Sequence, residues 1–160
     1  MTEAAAVPQP ESIPVGIKGW LILPAIGTIL SPIYLSIAVF KMVPSLEKIW
    51  AAKDSLSTSL LAFVAVETIV NITFIVGWLV AILLLTLRSW YYPRAYIILM
   101  CGMVGFLLLD MIVSAGGFNH QPEQDDLVSL GRTIVVAAIW VPYMFLSKRV
   151  KNTFVWRPAA

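Results

Sequence analysis

Long apolar runs separated by polar stretches dominate the chain. Four of these runs are predicted to be helices that cross a membrane, at about residues 17–40, 59–87, 95–115 and 127–146. Each run has about the 20 predominantly apolar residues that a helix needs to span the hydrocarbon core of a bilayer. The pattern therefore predicts an all-α, polytopic membrane protein, in which residues 15–156 form one membrane domain with four transmembrane helices in a bundle.

Polar segments precede the first span and follow it. Residues 1–14 contain three prolines and two glutamates but no basic start of a secretory signal, so we expect a disordered tail. Between the first two spans, residues 44–53 place Leu46, Ile49 and Trp50 on one helical face and their charged side chains elsewhere. This arrangement is typical of a short helix in the membrane interface; a solvated turn is the alternative.

The composition excludes several classes of function. The chain is 59% hydrophobic and only 12% charged, whereas about a quarter of the residues of a soluble domain are charged. A net charge of +2 does not indicate a nucleic-acid partner. The single cysteine, Cys101, and the single histidine, His120, exclude an internal disulfide framework and a Cys/His metal cluster. Without a glycine-rich phosphate loop or a Ser–His pair, we expect no enzymatic activity, no catalytic residues, no metal site and no cofactor.

The basic residues predict the orientation in the membrane. Four crossings place both termini and the 88–94 turn on one side. Seven basic residues belong to that side and three to the other: Lys18, Arg88, Arg94, Lys148, Arg149, Lys151 and Arg157 against Lys41, Lys48 and Lys53. Because Lys and Arg accumulate on the cytoplasmic side, we expect an inner (plasma) membrane protein with both termini in the cytoplasm.

Three ionisable residues fall inside the predicted spans: Glu67, Asp110 and Arg132. At 1.5 Å per residue, Glu67 lies roughly 10 Å, and the other two roughly 8 Å, from the span ends that face away from the termini. Charges in spans are rare and usually pair, and one guanidinium can bind two carboxylates. Asn71 lies one helical turn from Glu67. The sequence thus predicts an intramembrane polar network of Glu67, Asn71, Asp110 and Arg132.

Three roles are open to this network. It can be structural and fix the register of the helices, or it can form a site for a ligand, an ion or a partner. A proton path is disfavoured, because the rest of span two beyond Asn71 offers only Thr73 and Thr86 among apolar residues.

Small residues spaced by four predict close contacts between helices. Gly27 with Ser31 in span one, and Cys101 with Gly105 in span three, have this spacing. We expect a neighbouring helix to approach at both places.

Two end segments resemble a known family. GIKGWLILPAIG at residues 16–27, followed by LSPI at 30–33, is similar to the start of the bacterial domain-of-unknown-function 2569 family. Pro142-Tyr143 and SKRVKNTFV at residues 147–155 resemble its ending. The likeness covers roughly residues 14–155. It implies a four-helix inner-membrane protein without an assigned biochemical role, and it supplies no catalytic residues.

Two functional hypotheses follow. The first is a non-enzymatic accessory or structural membrane protein that binds a membrane partner. The second is a small oligomeric transporter or channel that uses a polar seam around Glu67, Asp110 and Arg132. The expected partners are the lipid bilayer and either another membrane protein or a second copy of the chain.

Overall fold

The computed structural model describes residues 15–118 and 121–155. The predicted disordered tail at residues 1–14 lies outside the described residues, as do residues 119–120 and 156–160. Within the described ranges the regular structure is entirely helical.

Five α-helices follow one another along the chain. They are α1 (Ile22–Ala51, preceded by a 3₁₀ turn at Gly19–Leu21), α2 (Thr58–Thr86), α3 (Tyr92–Phe118), α4 (Gln124–Leu146) and α5 (Lys148–Thr153). The first four are long and apolar enough to cross a membrane. The prediction of an all-α bundle with four membrane-spanning helices is therefore confirmed.

The chain runs back and forth between two ends of the bundle, and α1 packs on α2, α2 on α3, and α3 on α4. We call one the terminal end: it contains residues 15–21, the turn between α2 and α3, and α5. We call the other the loop end: it contains the connections from α1 to α2 and from α3 to α4.

Helix α1 is longer than the predicted first span. The segment predicted as a separate interfacial helix, residues 44–53, instead continues α1 through Pro44 to Ala51 and ends in a 3₁₀ turn at Lys53–Ser55. Thirty residues extend about 45 Å, whereas the hydrocarbon core is about 30 Å thick. The last turns of α1, with the exposed Trp50, therefore extend beyond that thickness as part of the same helix.

Buried side chains concentrate at the terminal end. The largest fully buried ones include Leu21, Trp78, Tyr92, Tyr96, Val150 and Phe154. By contrast, none of the described residues 36–77 and 101–143 is buried. The bundle is thus well packed at the terminal end and open toward the loop end.

The first and last described segments meet at the terminal end. The main-chain N–H of Gly16 donates a 2.9 Å hydrogen bond to Oγ1 of Thr153, and the rings of Tyr92 and Phe154 lie 4.6 Å apart. Helix α5 was not predicted from the sequence, although Ser147 marks its start by accepting a 3.4 Å hydrogen bond from the N–H of Val150. The two segments that resemble the family are therefore in contact.

The close contacts between helices differ from those expected. A Cβ atom added at Gly27 or Gly105 would meet nothing within 4 Å, so no neighbour approaches closely there. At Gly77 of α2 it would lie 2.6 Å from Cδ2 of Leu99 in α3. Gly77 and the fully buried Ala81 have the same four-residue spacing, which is the signal that could have located this contact in the sequence.

Candidate functional site

A cavity of about 540 Å³ opens between α2, α3 and the start of α4, in the half of the bundle nearer the loop end. Its polar lining comes from three carboxylates and two hydroxyls, those of Glu67, Asp110, Asp126, Ser114 and Ser129. The remaining lining is apolar. Two of the carboxylates belong to membrane-spanning stretches of α2 and α3.

The antiparallel register of α2 and α3 fixes the position of these two carboxylates. Toward the loop end, the rings of Phe63 and Phe118 lie 5.1 Å apart. Toward the terminal end, the rings of Phe74 and Phe106 lie 6.0 Å apart. The carboxylates occupy the layer between these two aromatic contacts, so they are held in an otherwise apolar interface.

The charges in this layer have the same sign and act on one another. Glu67, Asp110 and Asp126 all line the same cavity, so their ionised forms repel one another. No Lys or Arg is among the described residues that line the cavity. A second cavity of about 150 Å³ touches Glu67 and Asp110 from the other side of the α2–α3 pair. The site is thus an acidic layer that can be approached from two sides.

Arg132 does not join the carboxylates. It is exposed and lines a different groove, between α1, α3 and α4. Each step of three residues along an α-helix turns the side chain back by about 60°. Asp126 and Ser129 face the cavity, and Arg132, two such steps after Asp126, has turned away by about 120°. The sequence predicted Glu67, Asp110 and Arg132 at similar depths in the membrane. The side chain of Arg132, however, points away from the cavity that Glu67 and Asp110 line.

Asn71 supports the helix rather than the carboxylates. Its Nδ2 donates a 3.0 Å hydrogen bond to the main-chain oxygen of Glu67, one turn earlier in α2. Of the four predicted network residues, the structure therefore brings Glu67 and Asp110 to one cavity, keeps Asn71 within α2, and places Arg132 elsewhere.

Among the described residues, no group of three or more His, Cys, Asp and Glu side chains is arranged to hold a metal ion. Two carboxylates can accept hydrogen bonds from one ammonium or guanidinium group without a complete coordination shell.

Comparison with known proteins gives one match. A family model described as "Protein of unknown function (DUF2569)" matches residues 14–155, which include all four membrane-spanning helices and both segments that meet at the terminal end. No curated protein and no solved structure matches the chain.

Proposed function

We propose that this chain, which belongs to the DUF2569 family of proteins of unknown function, is a non-enzymatic membrane accessory protein that binds a partner protein within the membrane. The observation that carries the proposal is the cavity that contains Glu67 and Asp110 and has no described basic residue in its lining. A Lys or Arg of a partner's transmembrane segment is the group that the cavity receives.

Carboxylates inside membrane-spanning helices are energetically costly. An acidic residue near the centre of a span costs about 2.5–3.5 kcal/mol on insertion scales, and such residues usually face a partner charge. Glu67 and Asp110 instead line one cavity with each other, and repulsion between two like charges adds to that cost. A basic side chain from outside the chain would offset both effects.

The packing of the bundle supports the same function. The helices are well packed at the terminal end, where Trp78, Tyr92 and Tyr96 are almost completely buried. The carboxylates lie in the open half, where a partner helix can approach them without unfolding the terminal end.

One observation favours a second candidate, a small oligomeric transporter or channel. About 540 Å³ lies within the roughly 300–1,000 Å³ range of small-molecule sites. The buried aromatic residues at the terminal end would block a conducting path along the axis of a single bundle. A conducting path would therefore have to run between copies of the chain.

We further propose that the protein lies in the inner membrane with both termini in the cytoplasm. The described basic residues at the terminal end support this orientation through the positive-inside rule: Lys18, Arg88, Arg94, Lys148, Arg149 and Lys151.

The partner proposal is tested by site-specific photo-crosslinking in native membranes. A photoreactive residue replaces Ser114, which lines the cavity, or Ile112, which is 68% exposed on the same helix and serves as the matched control. We expect a discrete crosslinked protein from position 114. It should disappear when Glu67→Gln and Asp110→Asn are combined, because the basic group of the partner then loses its counter-charge.

Asp54→Asn is the charge control, since Asp54 is exposed and lies outside the spans; it should leave the crosslink intact. Equal crosslinking with and without the two carboxylates would contradict the proposal. Carboxylate-dependent cation flux through a purified homo-oligomer in liposomes would instead favour the transporter.

A further inference from the structure

A third cavity, about 300 Å³ in volume, opens as a groove between α1, α3 and α4. We call it the Arg132 groove. Its lining is mostly apolar, with Gly27 and Leu35 from α1, Met100 and Met103 from α3, and Val136 from α4. Helix α1 packs mainly on α2, and α4 mainly on α3, which leaves this groove between α1 and α4.

Arg132 is the only charged residue among the described residues that line this groove. It makes no hydrogen bond or ion pair with another described residue. The hydroxyls of Ser31 and Thr133, also in the lining, donate to main-chain oxygens of their own helices at 2.7 and 2.8 Å. The guanidinium is therefore left with its donors available inside a membrane-spanning stretch, where an unpaired charge is costly.

The depth of Arg132 matches the position of a lipid headgroup. Arg132 follows Leu127, the first apolar residue of α4, by five positions, or roughly 8 Å along the helix. A long arginine side chain can extend toward the interface while its methylene groups stay in apolar surroundings. From Arg132 the groove continues toward the terminal end along α1, from Leu35 to Gly27. This stretch of α1 is roughly 12 Å long.

We propose that the Arg132 groove binds an anionic phospholipid, with the phosphate on the guanidinium of Arg132 and one acyl chain lying toward Gly27. Charge complementarity selects the headgroup, since a guanidinium binds phosphate oxygens in a bidentate way. The apolar lining favours the acyl chain. Gly27 has no side chain, and an added Cβ there would meet nothing within 4 Å. This leaves space for the acyl chain. The Arg132 groove shares no lining residue with the carboxylate cavity, whose α3 residues lie nearer the loop end.

The test uses the full-length protein in mixed micelles and native mass spectrometry, with phosphatidylglycerol and phosphatidylcholine as the probes. We expect one phosphatidylglycerol retained per chain, in preference to phosphatidylcholine. Arg132→Gln should weaken phosphatidylglycerol binding about tenfold, because hydrogen bonds to a charged group typically contribute at least that factor. Arg132→Lys should retain part of the preference.

Two variants separate lipid binding from loss of structure. Gly27→Leu fills the groove without changing any charge and replaces a helical glycine with a better helix former, so it should fold and yet lose the lipid, whereas Gly27→Ala should lose less. Lys48→Gln removes an exposed charge near the loop end and should leave binding unchanged. Equal retention by the original chain, Arg132→Gln and Gly27→Leu would overturn the proposal, as would a lipid-free dimer that requires the same two residues.

Discussion

The hydroxyl oxygens of Thr28 and Tyr92 lie 2.9 Å apart and join α1 to α3 across the buried terminal end. Thr28 uses its own proton in a 2.8 Å hydrogen bond to the main-chain oxygen of Pro24. Tyr92 is therefore the donor between the two hydroxyls. Both side chains are fully buried, so neither can exchange its partner for water.

A double-mutant cycle measures this contact. Tyr92→Phe removes the donor, and Thr28→Val leaves the Tyr92 hydroxyl buried without an acceptor. We expect each change to lower the free energy of unfolding by about 1–3 kcal/mol, with Thr28→Val the more costly. The double variant should cost less than the sum, with a coupling of about 1 kcal/mol. The measurement is unfolding in mixed detergent micelles followed by tryptophan fluorescence, and additive effects would show that the two hydroxyls do not interact.

The close approach of α2 and α3 at Gly77 predicts an asymmetry between two glycines. Gly77→Ala places a methyl group against Leu99, and we expect a loss of about 1 kcal/mol in unfolding free energy as Leu99 shifts. Gly105→Ala, where an added Cβ meets nothing within 4 Å, is the matched control and should be neutral or stabilising. Combining Gly77→Ala with Leu99→Ala should remove the penalty of the added methyl group, and identical stability of the two single alanine variants would contradict the contact.

The separation of Arg132 from the carboxylates can also be measured. In delipidated micelles we expect Arg132→Gln to change the unfolding free energy by no more than about 0.5 kcal/mol, as is usual for exposed positions. Removing one partner of a buried ion pair would instead cost about 3–5 kcal/mol. Glu67→Gln should be neutral or stabilising, because it removes one of two like charges that line the same cavity. Lys48→Gln serves as the exposed control, and a large loss in Arg132→Gln alone would show that the guanidinium reaches the carboxylates.

The proposed orientation predicts which engineered thiols are accessible. In a Cys101→Ser background, we expect Asp54→Cys at the loop end to react with a membrane-impermeant maleimide added to intact cells. Lys151→Cys at the terminal end should react only after the cells are permeabilised. Both wild-type side chains are exposed, so accessibility to water is matched. Labelling in the opposite order would place the termini outside the cytoplasm.

The spans could be predicted from the sequence because transfer into a membrane depends on local apolar length. Counting residues along the helices also placed Glu67 and Asp110 at similar depths, and the structure puts them in one cavity. The direction of Arg132 could not be obtained in this way. Depth follows from the rise of the helix, but the direction of a side chain depends on how the helix is rotated against its neighbours, and α4 is apolar around most of its surface.

The packing of the terminal end could not be predicted from the sequence for a different reason. Its contacts join residues that are far apart along the chain, such as Gly16 and Thr153, and no local pattern predicts such a pair. Helix α5 has only six residues, which is too short to be stable without tertiary contacts. The residues that stabilise this segment are distant in sequence: the ring of Tyr92 in α3, for example, packs against Phe154. Local sequence patterns do not predict such contacts.

The hydrogen bond from Gly16 to Thr153 has a consequence for biosynthesis. Residues 15–21 precede the four spans, whereas their partner in α5 follows them and is synthesised later. Residues 15–21 must therefore remain without this contact until α5 has been synthesised. Chains that are released before α5 is complete would lack these contacts and leave apolar surface at the terminal end uncovered.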